Sequence, residues 1–110
     1  MTEPIDYVEL PGGDLPATKD FYAAAFGWSF QDYGPEYAAV QDAGLDGGFD
    51  ANKASGTAPL VILKAADLEA ALGRVEAAGG VVVDPIFEFP GGRRFHFRDP
   101  AGNVLGVWAE

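Results

Sequence analysis

At 110 residues, 48% hydrophobic and 13% aromatic, the chain suits one globular domain with a real core and excludes a disordered one. A formal net charge of −10 argues against a nucleic-acid surface, which needs clustered Lys and Arg, and against anionic membranes. With no cysteine there is no disulfide, thiolate ligand or cysteine nucleophile.

No apolar run approaches the ~20 residues of a membrane helix. The opening Met1-Thr2-Glu3-Pro4-Ile5-Asp6 lacks the basic and apolar blocks of a signal peptide, so a cytoplasmic setting is expected. Ile5 to Leu10 then reads as a strand. Asp14-Leu15-Pro16 reads as an N-cap with a proline in the first helical turn. Leu15, Phe21, Tyr22, Ala25 and Phe26 follow as one helical face, which puts Phe21, Tyr22 and Phe26 in a helix-to-sheet core, and Gly27 stops the helix. Short strands come next, over 28–33, 36–41 and about 45–49, with a turn at Tyr33-Gly34-Pro35-Glu36. Residues 51–58, with Gly and Ser, read as a linker.

The second half starts the same way. Leu60 to Leu63 is an apolar strand, and Asp67 caps a helix that buries Leu68, Ala71, Leu72, Val75 and Ala78 before Gly79-Gly80 ends it. Strands follow over 81–83, continuing through Ile86 to Phe89, then over 93–98 and 104–108, with a hairpin turn at Phe89-Pro90-Gly91-Gly92-Arg93. Asp14 and Asp67 lie 53 residues apart, and this offset superimposes strands, helices and glycine stops. The pattern is βαβββ twice, an α+β domain with module one at about 4–50 and module two at about 59–110. A sheet with one helix buries one face only, so the two modules are expected to share a core. A repeat of this kind also favours closed, symmetric pairing of copies.

The last strand is fed by Asp99-Pro100-Ala101-Gly102-Asn103, a turn in which proline presets φ and glycine supplies φ > 0. This tail and the doubled βαβββ pattern resemble the vicinal oxygen chelate superfamily, which includes glyoxalases, extradiol dioxygenases and bleomycin-resistance proteins. The resemblance covers nearly the whole chain. It implies modules that curl mixed sheets around a shared concave cavity with the helices outside, in a chain that forms a homodimer. In metal-using members a glutamate ligand stands four residues after the turn's glycine, a position that falls on Gly106. The other ligand positions fall on Tyr7, on Leu60 and, more loosely, near Gly48. A divalent ion of this class takes imidazole or carboxylate donors, and the chain has a single histidine, His96. The resemblance therefore implies a member without the usual metal ligands and with no metal cofactor.

Strand alternation extends this register. Glu9 shares the face of Tyr7, Ile62 that of Leu60, and Val104 and Trp108 that of Gly106. In extradiol dioxygenases an active-site tyrosine stands ten residues before the metal glutamate, which here points to His96, with Arg94 and Arg98 on the same side of its strand. Glycine at 106 is expected to leave volume where a carboxylate would stand. The candidate ligand-binding set is Tyr7, Glu9, Leu60, Arg94, His96, Gly106 and Trp108, apolar and aromatic walls with a few polar groups.

Each member also has a plainer reading. His96 suits a general base or a ligand's hydrogen-bond partner, and equally a half-buried strand histidine. Glu9 suits a cavity carboxylate or an exposed edge-strand residue. Tyr7 and Trp108 suit ligand contact or packing. Asp42, Asp46 and Asp50 lack calcium-loop spacing and read as solvated. Three functions follow from the resemblance. The first is a metal-independent protein of the glyoxalase or bleomycin-resistance type that binds a small, partly apolar molecule. The second is a metal-independent enzyme using His96 and Glu9 for proton transfer, and the third is a metal-dependent lyase or dioxygenase.

Overall fold

The computed structural model describes residues 3–54 and 57–110, so Ser55 and Gly56 of the expected linker, and Met1 and Thr2 of the expected leaderless start, lie outside it. Both helices begin as the caps require. Helix α1 (Leu15–Phe26) starts at Asp14, whose carboxylate accepts from the Ala17 amide at 3.1 Å, with Pro16 in the first turn. It ends at Gly27, which takes φ 75°, a left-handed conformation that costs glycine little. Helix α2 (Leu68–Ala77) starts at Asp67, which accepts from the Ala70 amide at 3.0 Å. It stops two residues before the Gly79-Gly80 pair, with Ala78 as the cap.

The chain packs as two compact units, residues 7–59 and residues 60–110 together with 3–6. In the first, β1 (Ile5–Pro11) pairs in parallel with β4 (Gly47–Asp50). Strand β4 then pairs antiparallel with β3 (Tyr37–Gln41), and β3 with β2 (Ser29–Asp32). The second repeats the scheme: β5 (Leu60–Lys64) lies parallel to β8 (Val104–Ala109), and β7 (Gly92–Arg98) lies antiparallel between β8 and β6 (Val81–Phe89). Each unit is thus a βαβββ module, and the class is α+β. Glu9 stands opposite Gly48 in the first parallel pair and Ile62 opposite Gly106 in the second, so the 53-residue offset from Asp14 to Asp67 also relates Glu9 to Ile62.

Alternation divides every strand between two faces. In the first unit Leu15, Ala38 and Phe49 form the buried cluster, with Leu10, Tyr22, Trp28, Phe30 and Val40 packed around it. The second unit buries Ala65, Leu68, Ala71, Phe95, Val107 and Ala109, flanked by Leu63, Leu72, Val75, Val82, Ile86 and Phe97. These are the helix-covered faces, and the intervening strand residues project to the helix-free faces.

Two helix assignments need correction. Phe21 and Phe26 are not core residues, since they are 58% and 65% exposed. Only Tyr22 reaches the sheet, stacking on Trp28 at 4.7 Å and meeting Phe49 at 5.2 Å. Phe21 is rotated by about 100° from Tyr22 around the helix and so packs on its outer side, while Phe26 sits on the last residue of the helix. Ala78 is likewise exposed, because the helix has already ended.

The closing turn is built on Asp99. One carboxylate oxygen accepts from the amides of Ala101 and Asn103, both at 2.9 Å, and the other accepts from the Asn103 side chain at 3.0 Å. Gly102 takes φ 91°, as the turn demands. The Asn103 side chain, then the amides, hold the Asp99 carboxyl below the usual range.

Phe95 is fully buried at the centre of the second unit. Phe95→Ala should cost about 3–5 kcal/mol of unfolding free energy, measurable by urea denaturation. A loss below ~1 kcal/mol would mean that the cluster is not the core of this unit.

Candidate functional site

On the helix-free face of the first unit, β1 supplies Tyr7 and Glu9, β3 supplies Tyr37, and β4 supplies Gly48. The Tyr7 and Tyr37 hydroxyls are 2.5 Å apart, and the Tyr37 hydroxyl donates to Glu9 Oε2 at 3.2 Å. A phenol has one proton to give, so with Tyr37 donating to Glu9 it is Tyr7 that donates to Tyr37. Lys53 Nζ stands 3.7 Å from the other oxygen of Glu9, which is only 4% exposed. Glu9 is therefore a buried, hydrogen-bonded carboxylate rather than an exposed edge residue. Burial is the main cause that pushes the pKa of both phenols up, and the negative charge of Glu9 adds to it in each.

The helix-free face of the second unit carries Leu60, Ile62, Arg94, His96, Gly106 and Trp108, five of which the sequence nominates directly. His96 stands opposite Gly106 across the β7–β8 pair. Its Nδ1 lies 2.7 Å from Asp84 Oδ2, and its Nε2 is buried with no hydrogen-bond partner among the described residues. The Phe87 ring meets the imidazole edge-on at 5.4 Å. Arg94 lies over both Phe87 and Phe89, at 5.4 and 5.3 Å. Trp108 is held from several sides. Its indole N–H donates to Asp6 at 2.9 Å, Lys64 Nζ is 4.7 Å from its ring, and Phe89 approaches at 6.1 Å.

Sequence reading missed Asp84, Tyr37 and Lys53. Counting back from the β6–β7 turn pairs Phe89 with Gly92 and Phe87 with Arg94, and would put Pro85 opposite His96. The ladder instead slips by one residue around Pro85, so Asp84 faces His96. A proline inside an otherwise regular strand was the available signal, because it cannot donate to the ladder. Tyr37 was findable by alternation from Ala39, the residue opposite Gly48.

The glycines at the expected ligand positions are not open space. A Cβ on Gly106 would lie 3.2 Å from His96 Cδ2 and 3.4 Å from Ile62 Cγ1. A Cβ on Gly48 would lie 2.6 Å from the Tyr7 hydroxyl and closer still to the Tyr37 hydroxyl. The expected vacant volume at Gly106 is thus partly taken by the His96 ring. Neither unit's residues fit the metal of the superfamily: the matching positions offer a phenol, a leucine and two glycines. Among the described residues no three His, Asp or Glu side chains cluster in a way that could hold an ion.

Two βαβββ modules, each ending in a strand whose central glycine is packed over by its neighbours, define a glyoxalase-type α+β protein. The profile of the Glyoxalase/Bleomycin resistance protein/Dioxygenase superfamily matches residues 4–107, and the chain belongs to that superfamily. A superfamily member from Vibrio splendidus 12B01 is 17% identical, with TM-score 0.73 over 99% of this chain and 100% of that one. The Mn(II)-bound glyoxalase from Novosphingobium aromaticivorans is 27% identical with TM-score 0.72, but this chain, covered at 98%, spans 38% of that one. Methylmalonyl-CoA epimerase from Mycobacterium tuberculosis is 15% identical, with TM-score 0.68 over 96% of this chain and 86% of that one. A search of curated protein sequences finds no match.

Two outcomes test the first unit. Gly48→Ala should destabilise by about 1–3 kcal/mol, because two hydroxyls must move to admit one methyl; chemical denaturation reads this, and a neutral result would mean that the tyrosine pair is loosely held. Tyr37 should ionise well above the ordinary value near ~10, so the ultraviolet absorbance change lost in Tyr37→Phe should fall at the alkaline end of the titration. Since the folded form holds this proton more tightly, its stabilising contribution is complete below about pH 10 and falls as pH rises above that.

Proposed function

We propose that this chain is a metal-independent, glyoxalase/bleomycin-resistance-like protein that binds a small, partly apolar molecule, with the helix-free face of residues 60–110 supplying its main contacts. The observation that carries the reading is the packing at Gly106: the position of the superfamily's carboxylate ligand lies under His96 and Ile62 instead. Around it, Leu60, Ile62 and Phe87 give apolar walls, while His96 and Arg94 are the polar groups that would orient a ligand. Trp108 serves mainly to brace β8, since its one donor is committed to Asp6. Tyr7 and Glu9 enter the reading as a fixed proton-ordered network on the first unit rather than as a base.

Elemental analysis of purified protein tests the metal half of this reading. No stoichiometric divalent ion is expected, and one tightly held equivalent would overturn it. A thermal-shift screen of small metabolites tests the other half, because a ligand at 100 times its Kd adds about 2.7 kcal/mol of stability. A screen in which no compound raises the midpoint counts against binding.

The second reading is a metal-independent enzyme in which His96 moves a proton. Its support is the 2.7 Å contact with Asp84, the arrangement that holds an imidazole in one tautomer and steadies its charged form. Asp84, not Glu9, is the carboxylate that this reading uses. His96→Ala that keeps ligand binding and loses turnover would select it. A homodimer belongs to the same proposal, and the exposed Phe21 and Phe26 rings support it; sedimentation at equilibrium decides it.

A further inference from the structure

We infer that the Asp84–His96 pair sets the polarity of the site, fixing Nε2 as a hydrogen-bond acceptor that selects ligands carrying an O–H or N–H donor on a flat, apolar body. This rests on the binding reading above and names the ligand class for it. A carboxylate only accepts, so a neutral imidazole facing Asp84 must carry its proton on Nδ1. That leaves Nε2 with a lone pair. The atom is buried and has no donor among the described residues, an unfavourable state that a ligand's donor would relieve.

The surroundings are apolar on two sides. Ile62 lies beneath, against the same Gly106 position as the imidazole, and Phe87 stands edge-on to the ring. Phe87 is 37% exposed, which makes it the wall freest to move aside as a ligand enters. A flat body can then lie against Phe87 and Ile62 with its donor on Nε2. A ligand that brings only acceptors would set lone pair against lone pair. Asp84 is a positioning residue here: its side chain is 59% exposed, and it acts through the tautomer of His96.

Because His96 is the only histidine, its ring nitrogens can be read without assignment. Nitrogen-15 NMR, followed to alkaline pH until the ring signals stop changing, should show a protonated Nδ1 and a pyridine-type Nε2. The reverse tautomer would overturn the inference. The probes are phenol and anisole, equal in their ring and different in the donor. Phenol should bind at least tenfold more tightly than anisole and move the Nε2 resonance, and His96→Phe should abolish the preference. Asp84→Asn, at an exposed position that spares the fold, should shift the proton to Nε2 and remove or invert the preference. A variant that keeps the tautomer, or a preference that survives a changed tautomer, refutes the role given to Asp84. Equal affinity of the wild type for the two probes refutes the inference and leaves the binding reading intact. Failure of both probes, alongside a negative metabolite screen, removes the binding reading and the inference with it.

Discussion

One helix can cover only one face of a sheet, and everything particular to this chain follows from that limit. Successive strand residues point to opposite sides. In each module one set of side chains is therefore sealed under α1 or α2, and the other set is left without a helix. The covered sets are almost wholly apolar: Ala38 and Phe49 in one unit, Phe95, Val107 and Ala109 in the other. The uncovered sets hold the polar groups, namely Tyr7, Glu9 and Tyr37 in one unit and Arg94 and His96 in the other. Chemistry is possible only where burial and polarity meet, and strand alternation decides where that is.

The superfamily resemblance would place a ligating glutamate at Gly106 and, more loosely, a further ligand position near Gly48, both on these uncovered faces. A glycine at such a position leaves either a hole or a close approach. Here it is a close approach in both units. Cross-strand partners stand only ~4.5–5.5 Å apart at Cβ, so a glycine lets the ring of the residue opposite lean across the strand. His96 does this over Gly106, and Tyr37, two residues along its strand from Gly48's partner, does it over Gly48. The space that a longer side chain would need is taken by packing, so a glutamate placed at Gly106 would meet a steric problem before an electrostatic one.

Much of this was legible in the sequence because local rules are short-ranged. The Asp14 and Asp67 caps, the Asp99 turn and the doubled βαβββ order depend on residues within a few positions of each other, and the 53-residue offset needs only counting. The faces of Gly106 and His96 came from the spacing of the superfamily's motif, and that of Trp108 from period two. What escaped depended on register. Asp84 reaches His96 only because the β6–β7 ladder slips at Pro85, and no periodicity rule places a slip. Lys53 reaches Glu9 from beyond the end of β4, where no period applies. Phe21 and Phe26 were misplaced for the opposite reason: helical periodicity says which residues share a face and not how far along the helix the sheet extends.

The two modules have put the same framework to different uses. In the first, the donors are ordered in series, Tyr7 to Tyr37 to Glu9, with Lys53 beside the carboxylate. Each group in that series has a partner, so a newcomer would have to displace a hydrogen bond or the Lys53 ion pair to enter. In the second, the series is one step long: His96 Nδ1 meets Asp84 Oδ2 at 2.7 Å, in the inferred tautomer as the donor, and Nε2 has no hydrogen-bond partner among the described residues. A pair that ends in an unused acceptor can take on a partner without dismantling anything. The asymmetry is therefore energetic rather than architectural, and it supports the proposal that residues 60–110 supply the main ligand contacts.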